Sequence, residues 1–146
     1  MHSHPSAQPL SSPPPAPIPG PVAWLGYGGL LPFVALAAVG LWAPSTPWWS
    51  AALLAYGAVI LSFVGALHWG FAMALSGLST AERTRCFVWS VVPSLMAWPA
   101  TLLPPAGGAA LLVAGFVAHL VQDHRLAART SLPTWYLPLR WRLTTT

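Results

Sequence analysis

The stretch Ala55–Leu75, AYGAVILSFVGALHWGFAMAL, decides the fold. It runs 21 residues without a formal charge, and His68 is its one strongly polar residue. A helix of this length reaches roughly 31 Å, close to the hydrocarbon thickness of a bilayer. At four-residue spacing it also carries an unbroken row of small side chains: Ala58, Ser62, Ala66, Gly70 and Ala74. In lipid, helices associate where small residues let backbones approach closely. The row therefore predicts a groove for a neighbouring helix, with Leu61, Phe63, Val64, Leu67 and Phe71 filling gaps or facing lipid. His68 sits roughly 160° from Gly70 around the helix, off this groove.

The rest of the chain repeats this character. Of 146 residues, 55% are hydrophobic and 5% charged, against about 25% charged in a soluble domain. Most of the surface must therefore face something other than water. The charged set is six arginines, no lysine, Glu82 and Asp123. The arginines flank apolar segments and build no basic face, so the net charge of +4 does not point to nucleic acid. A lone cysteine, Cys86, excludes an internal disulfide and a thiolate metal cage. Arginine without lysine, with abundant Ala, Pro, Gly and Trp, suggests a GC-rich bacterial source.

Outward from the central stretch, residues 1–21 hold eight prolines and no apolar periodicity. They read as a disordered, partly polyproline tail. His2 and His4 belong to that solvated tail rather than to a metal site. A transmembrane domain over 22–124 follows, with four spans at about 22–43, 49–78, 86–103 and 107–123. Pro32 should kink the first span in its middle. Residues 44–47 form a turn. Ser79 and Glu82 form a capping box before the third span, which Pro93 and Pro99 should bend or break. Pro104 to Gly108 reads as a turn. Residues 125–146 form an arginine- and tryptophan-bearing tail, cytoplasmic or interfacial.

Arg83 and Arg85 lie in the loop between spans two and three. Arg125, Arg129, Arg140 and Arg142 follow span four, and the other two loops are uncharged. Four spans put all six arginines on one side. The positive-inside rule makes that side, and both termini, cytoplasmic.

The runs GLLPF (29–33), LLAYGAVILSFVGALHWG (53–70), VPSLMAW (92–98) and WYLPLRWRLT (135–144) resemble a family of small bacterial inner-membrane proteins of unknown function, related to the mitochondrial transmembrane protein 69. The likeness covers nearly everything after Pro21. It implies a multi-pass inner-membrane protein with no established activity, cofactor or catalytic residue. Similar members continue into a fifth apolar helix, which Arg140 and Arg142 would flank. Here the chain is either a shortened form or ends in an interfacial tail.

Ionisable groups inside a membrane are functional suspects. His68, its neighbour Trp69, His119 and Asp123 form the candidate polar network. In the preferred reading they are structural, with His68 bonded across the bundle and Asp123 paired with Arg125 or His119 at headgroup level. A second reading is a proton or ion path through His68, His119 and Asp123. A third is bis-histidine haem ligation by His68 and His119. No nucleophile triad, paired carboxylates, HExxH or phosphate loop is present, so neither a catalytic nor a cofactor-binding site is expected. The sequence thus predicts an all-α bundle of four transmembrane helices. It would be a non-enzymatic structural, accessory or assembly component, with the lipid bilayer and another membrane protein or a second copy as partners. The alternative is a small transporter or proton-conducting element.

Overall fold

A computed structural model describes residues 17–43, 45 and 48–146. Three of the four residues of the expected turn at 44–47, most of the proline-rich tail, and His2 and His4 with it, lie outside the described residues. The chain is all-helical, with no strand among the described residues: α1 (Gly20–Gly28), α2 (Leu31–Trp42), α3 (Trp48–Ala74), α4 (Thr80–Ala100), α5 (Pro105–Ala127) and α6 (Tyr136–Thr145). Three helical segments among the described residues are long and apolar enough to cross a membrane: 20–42, 48–74 and 105–127. A fourth span of that kind, expected at 86–103, is not among them. Its helix α4 is 21 residues long, but its first two turns carry Glu82, Arg83 and Arg85.

The first span is broken rather than kinked at its middle. The helix stops at Gly28 and restarts at Leu31, so Pro32 stands in the first turn of α2, where a missing N–H is harmless. One carbonyl freed at the break, that of Gly29, accepts the Tyr56 hydroxyl of α3 at 2.8 Å. The Phe33 and Tyr56 rings meet edge to face at 5.0 Å beside it. Trp24, Trp42 and Trp48 face outward, as aromatic residues at a membrane interface do.

Helix α3 is the axis of the structure and touches α2, α4 and α5. Its buried face is Leu54, Gly57, Ala58, Leu61, Val64, Gly65, His68 and Ala72. This corrects the expected small-residue groove. Only Ala58 of that row is buried; Ser62 is half-buried, and Ala66, Gly70 and Ala74 are exposed. The reason is geometric. Each four-residue step overshoots a full turn by about 40°, so the row drifts roughly 160° between Ala58 and Ala74. A face that stays on one partner alternates steps of three and four, and that face contains His68. Leu61 and Val64, assigned to gap-filling or lipid, are core residues.

Glycines on α3 and α5 set the helix spacing. A Cβ at Gly65 would lie 2.8 Å from Pro93 Cγ and 3.1 Å from the Ser90 carbonyl oxygen. One at Gly115 would lie 2.5 Å from Leu61 Cδ2, and one at Gly108 would strike the Ala100 carbonyl. Pro93 thus packs its ring into the space Gly65 leaves, and α4 continues through both prolines as one helix. Gly108 belongs to α5, not to a turn, because Pro105 already starts that helix. The core between these helices is Leu54, Ala58, Leu61, Val64, Ala97, Ala100 and Leu112.

Between α3 and α4, Gly77 takes a positive φ of 94°, which only glycine adopts without steric cost. Arg83 folds back to donate to the Ala72 and Leu75 carbonyls at the end of α3. A cation suits that end of a helix. The capping box forms as expected: Glu82 N–H donates to Ser79 Oγ at 3.3 Å, and Ser79 N–H to Glu82 Oε2 at 2.9 Å. The Ser79 hydroxyl also donates to Glu82, and this bond, followed by the amide one, holds the carboxyl below its ordinary value. A carboxyl lowered on folding adds stability that is present above its unfolded pKa and lost as pH falls through the folded value. Ser79→Ala, which removes the capping hydroxyl, should therefore lower the melting temperature at pH 7. Thermal unfolding in detergent should show that difference shrinking once the pH drops below the ordinary glutamate range.

Candidate functional site

Helices α3, α5 and α6 converge on one buried carboxylate. Asp123 lies near the end of α5 and is 0% exposed. The outer faces of α3 and α5 are apolar, as lipid requires, so their polar residues turn inward: Asp123, His119 and Gly115 fall at four-residue spacing on the inward side. A buried charge needs partners, and Asp123 has two. His68 Nε2 donates to Oδ1 at 3.0 Å from α3. Arg140 Nε donates to Oδ2 at 2.9 Å from α6. Arg140 is itself buried. One carboxylate thus ties three helices together.

His119 completes the cluster. Its ring meets that of His68 edge to face at 4.9 Å. Its Nε2 stands 3.7 Å from Asp123 Oδ1, too far for a direct hydrogen bond. Its Nδ1 accepts the indole N–H of Trp89, on α4, at 3.0 Å. Tyr136 of α6 meets Phe71 edge to face at 5.3 Å, with its hydroxyl buried and outside hydrogen-bonding geometry. Burial first, and then the Asp123 charge, push that phenol well above its ordinary pKa.

Of the candidate network, the structure brings His68, His119 and Asp123 together and leaves Trp69 out. Trp69 is half-exposed and packs on Phe87 at 4.8 Å. The indole that enters the cluster is Trp89, two turns into α4. Of the two expected partners of Asp123, His119 lies within ion-pair distance at 3.7 Å and Arg125 does not pair with it; Asp123 lies in the interior rather than at the surface of the bundle. Arg140, assigned to topology alone, is its ion-pair partner. No local spacing marks Arg140, because its contact crosses 17 positions of sequence. The other arginines differ. Arg83 caps α3, while Arg85, Arg125, Arg129 and Arg142 are exposed. Arg85, Arg125 and Arg129 surround a recess of about 20 Å³ that reaches His68, room enough for a single water. His68 Nδ1 is buried without a protein partner.

Two kinds of ligand can be tested against this geometry. Haem fails. Axial histidines must face each other across a porphyrin plane, whereas these two rings are in direct contact. A small divalent cation matches the spacing, since His68, His119 and Asp123 offer donor atoms within 4.8 Å of one another. The protons do not match. An indole can only donate, so His119 Nδ1 is an acceptor and the ring proton sits on Nε2, the atom that would have to ligate. Metal-bound histidines instead donate from their second nitrogen. The set accepts a cation only if Trp89 moves away.

A family model described as a protein of unknown function, DUF3429, matches residues 18–146. The chain belongs to the DUF3429 family. It is also 35% identical over 132 residues to transmembrane protein 69 of Xenopus tropicalis, across 86% of this chain and 50% of the relative. It therefore spans half the length of that relative. No solved structure matches it significantly. The family likeness expected from the four sequence runs thus holds, and with it a membrane protein carrying several apolar helices.

Proposed function

We propose that this DUF3429 chain is a non-enzymatic, multi-pass accessory or assembly component of a bacterial inner membrane. In this reading it crosses four times, with α1–α2, α3, α4 and α5, and keeps both termini on the arginine-bearing side. The observation that carries it is Asp123, whose two oxygens are committed to side chains of two other helices. Such a residue serves as an interhelical link. It serves poorly as a proton carrier, because the next group along is an arginine, which does not release its proton. Orientation is supported by the recess shared by Arg85, Arg125 and Arg129. It means that α4 begins where α5 ends, so these charges gather at one end of the bundle.

Two measurements test this. Single cysteines at Leu102 and Ser131, in a Cys86→Ala background, should react with an impermeant maleimide from opposite faces of sealed membranes. Labelling of both from one face would remove the four-crossing arrangement. Purification from native membranes in mild detergent should retain a stoichiometric membrane partner. Proton flux in proteoliposomes that disappears in a folded His68→Gln variant would favour the conducting alternative instead.

A further inference from the structure

Three arginines from two parts of the chain converge on one spot. Arg85 stands in the second turn of α4, Arg125 in the last turn of α5, and Arg129 just beyond that helix. All three border the small recess that reaches His68, and all three are exposed. Among the described residues every ion pair is made by Asp123, so none of these guanidinium groups has a counter-charge in contact. Glu82, the one carboxylate on the rim, turns its Oε2 to the Ser79 amide and hydroxyl. The rim therefore sets three positive charges against one negative.

The backbone does not cancel that excess. The α4 N-terminus and the α5 C-terminus border the recess with opposite partial charges, which offset each other. Arg125 and Arg129 are four positions apart, close enough to repel. The positive-inside rule accounts for arginines at this end of the bundle. It does not require three of them around one recess.

An anion with oxygen acceptors in a planar or tetrahedral array suits several guanidinium forks. The recess itself, about 20 Å³, is too small to hold one, so the anion lies across its mouth. Apolar surface begins directly beside it. Val88, 59% exposed, is one turn along α4 from Arg85. Val121 and Val117, 43% and 52% exposed, continue back along α5 from Arg125, inside the membrane-crossing segment 105–127. A free anion would use only the arginines. A phospholipid would use both the charges and these outward valines.

We propose that Arg85, Arg125 and Arg129 hold the phosphate headgroup of an anionic glycerophospholipid, whose acyl chains lie on the exposed apolar faces of α4 and α5. The site goes beyond the accessory role. It rests on one part of that reading, that the arginine-bearing end lies at the membrane surface, which the maleimide labelling above tests separately.

The test uses the full chain purified in detergent, with bound lipid counted by native mass spectrometry. Dioleoylphosphatidylglycerol and dioleoylphosphatidylcholine share their chains and a phosphate, but only the first carries net negative charge. An arginine near anionic lipid contributes about fivefold in affinity. Two excess charges thus give phosphatidylglycerol a preference of roughly 25-fold. Arg125→Gln/Arg129→Gln should abolish that preference at the wild-type melting temperature. Arg85→Gln alone, on the other helix, should reduce it about fivefold. Arg142→Gln removes an exposed arginine outside the recess and should leave the preference intact, and excess inorganic phosphate should not displace the lipid. Equal binding of the two lipids would overturn the proposal, as would an undiminished preference in folded Arg85→Gln or in the folded double variant. An equal loss in Arg142→Gln would overturn it in favour of diffuse surface attraction. Displacement by inorganic phosphate would overturn it in favour of a free-anion site.

Discussion

Asp123→Ala should destabilise the protein by about 3–5 kcal/mol, the cost of stranding a buried charge by deleting its partner. Arg140 would keep its positive charge in the interior with no counter-charge, and His68 would lose its acceptor. The effect should concentrate on α6, which is only ten residues long and depends on Tyr136, Leu139 and Arg140 for its burial. Two readouts separate this from a diffuse packing loss. Titration with a denaturing detergent should show the stability difference. Limited trypsin digestion should expose the bond after Arg140, which is buried in the native protein. The double variant Asp123→Leu/Arg140→Leu should recover much of the loss, because replacing both members of a buried pair with apolar side chains is often nearly neutral. A single variant as stable as wild type, with Arg140 still protected, would show that the ion pair does not hold α6.

Gly65→Leu and Gly70→Leu should differ sharply, although the two glycines are five residues apart on one helix. At Gly65 even a Cβ meets the Pro93 ring at 2.8 Å and the Ser90 carbonyl oxygen at 3.1 Å. A leucine there must push α4 away from α3. Overpacking of this kind costs about 1–3 kcal/mol and sometimes more. At Gly70 nothing lies within 4 Å of an added Cβ, and the change should stay within about 0.5 kcal/mol. Melting of both variants in the same detergent decides the matter. If Gly70→Leu proved the more damaging, the small-residue row would be the packing face after all, and the arrangement of α3 against α4 would be wrong.

These variants also mark where reading the chain residue by residue stops. Membrane character was legible because it is a bulk property. A chain with 5% charged residues and uncharged runs of this length has few other ways to bury its backbone. The capping box was legible because every atom it uses lies within four residues. Even the meeting of His68, His119 and Asp123 could be suspected, since polar residues in apolar helices tend to turn inward. The packing face of α3 was not legible from the small residues alone. A four-residue row looks continuous in sequence but winds around the helix in space, and only contact with α4 and α5 shows which side is covered. The break at Gly28–Leu31 was masked by the more conspicuous Pro32. Trp69 stands next to His68 in sequence, but an adjacent residue on a helix points about 100° away, and nothing local marks Trp89, whose contact with His119 spans 30 positions.

The class of solvent, the helices and the few polar groups placed among apolar ones are readable from the chain alone. Those follow from composition and short-range spacing, which the unfolded chain already contains. What those groups do for one another emerges from the three-dimensional packing. It pairs Arg140 with Asp123 and sets Trp89 on His119. Each of these depends on the angles and separations of helices distant in sequence. Those are fixed by side-chain packing, for which local propensity carries no signal.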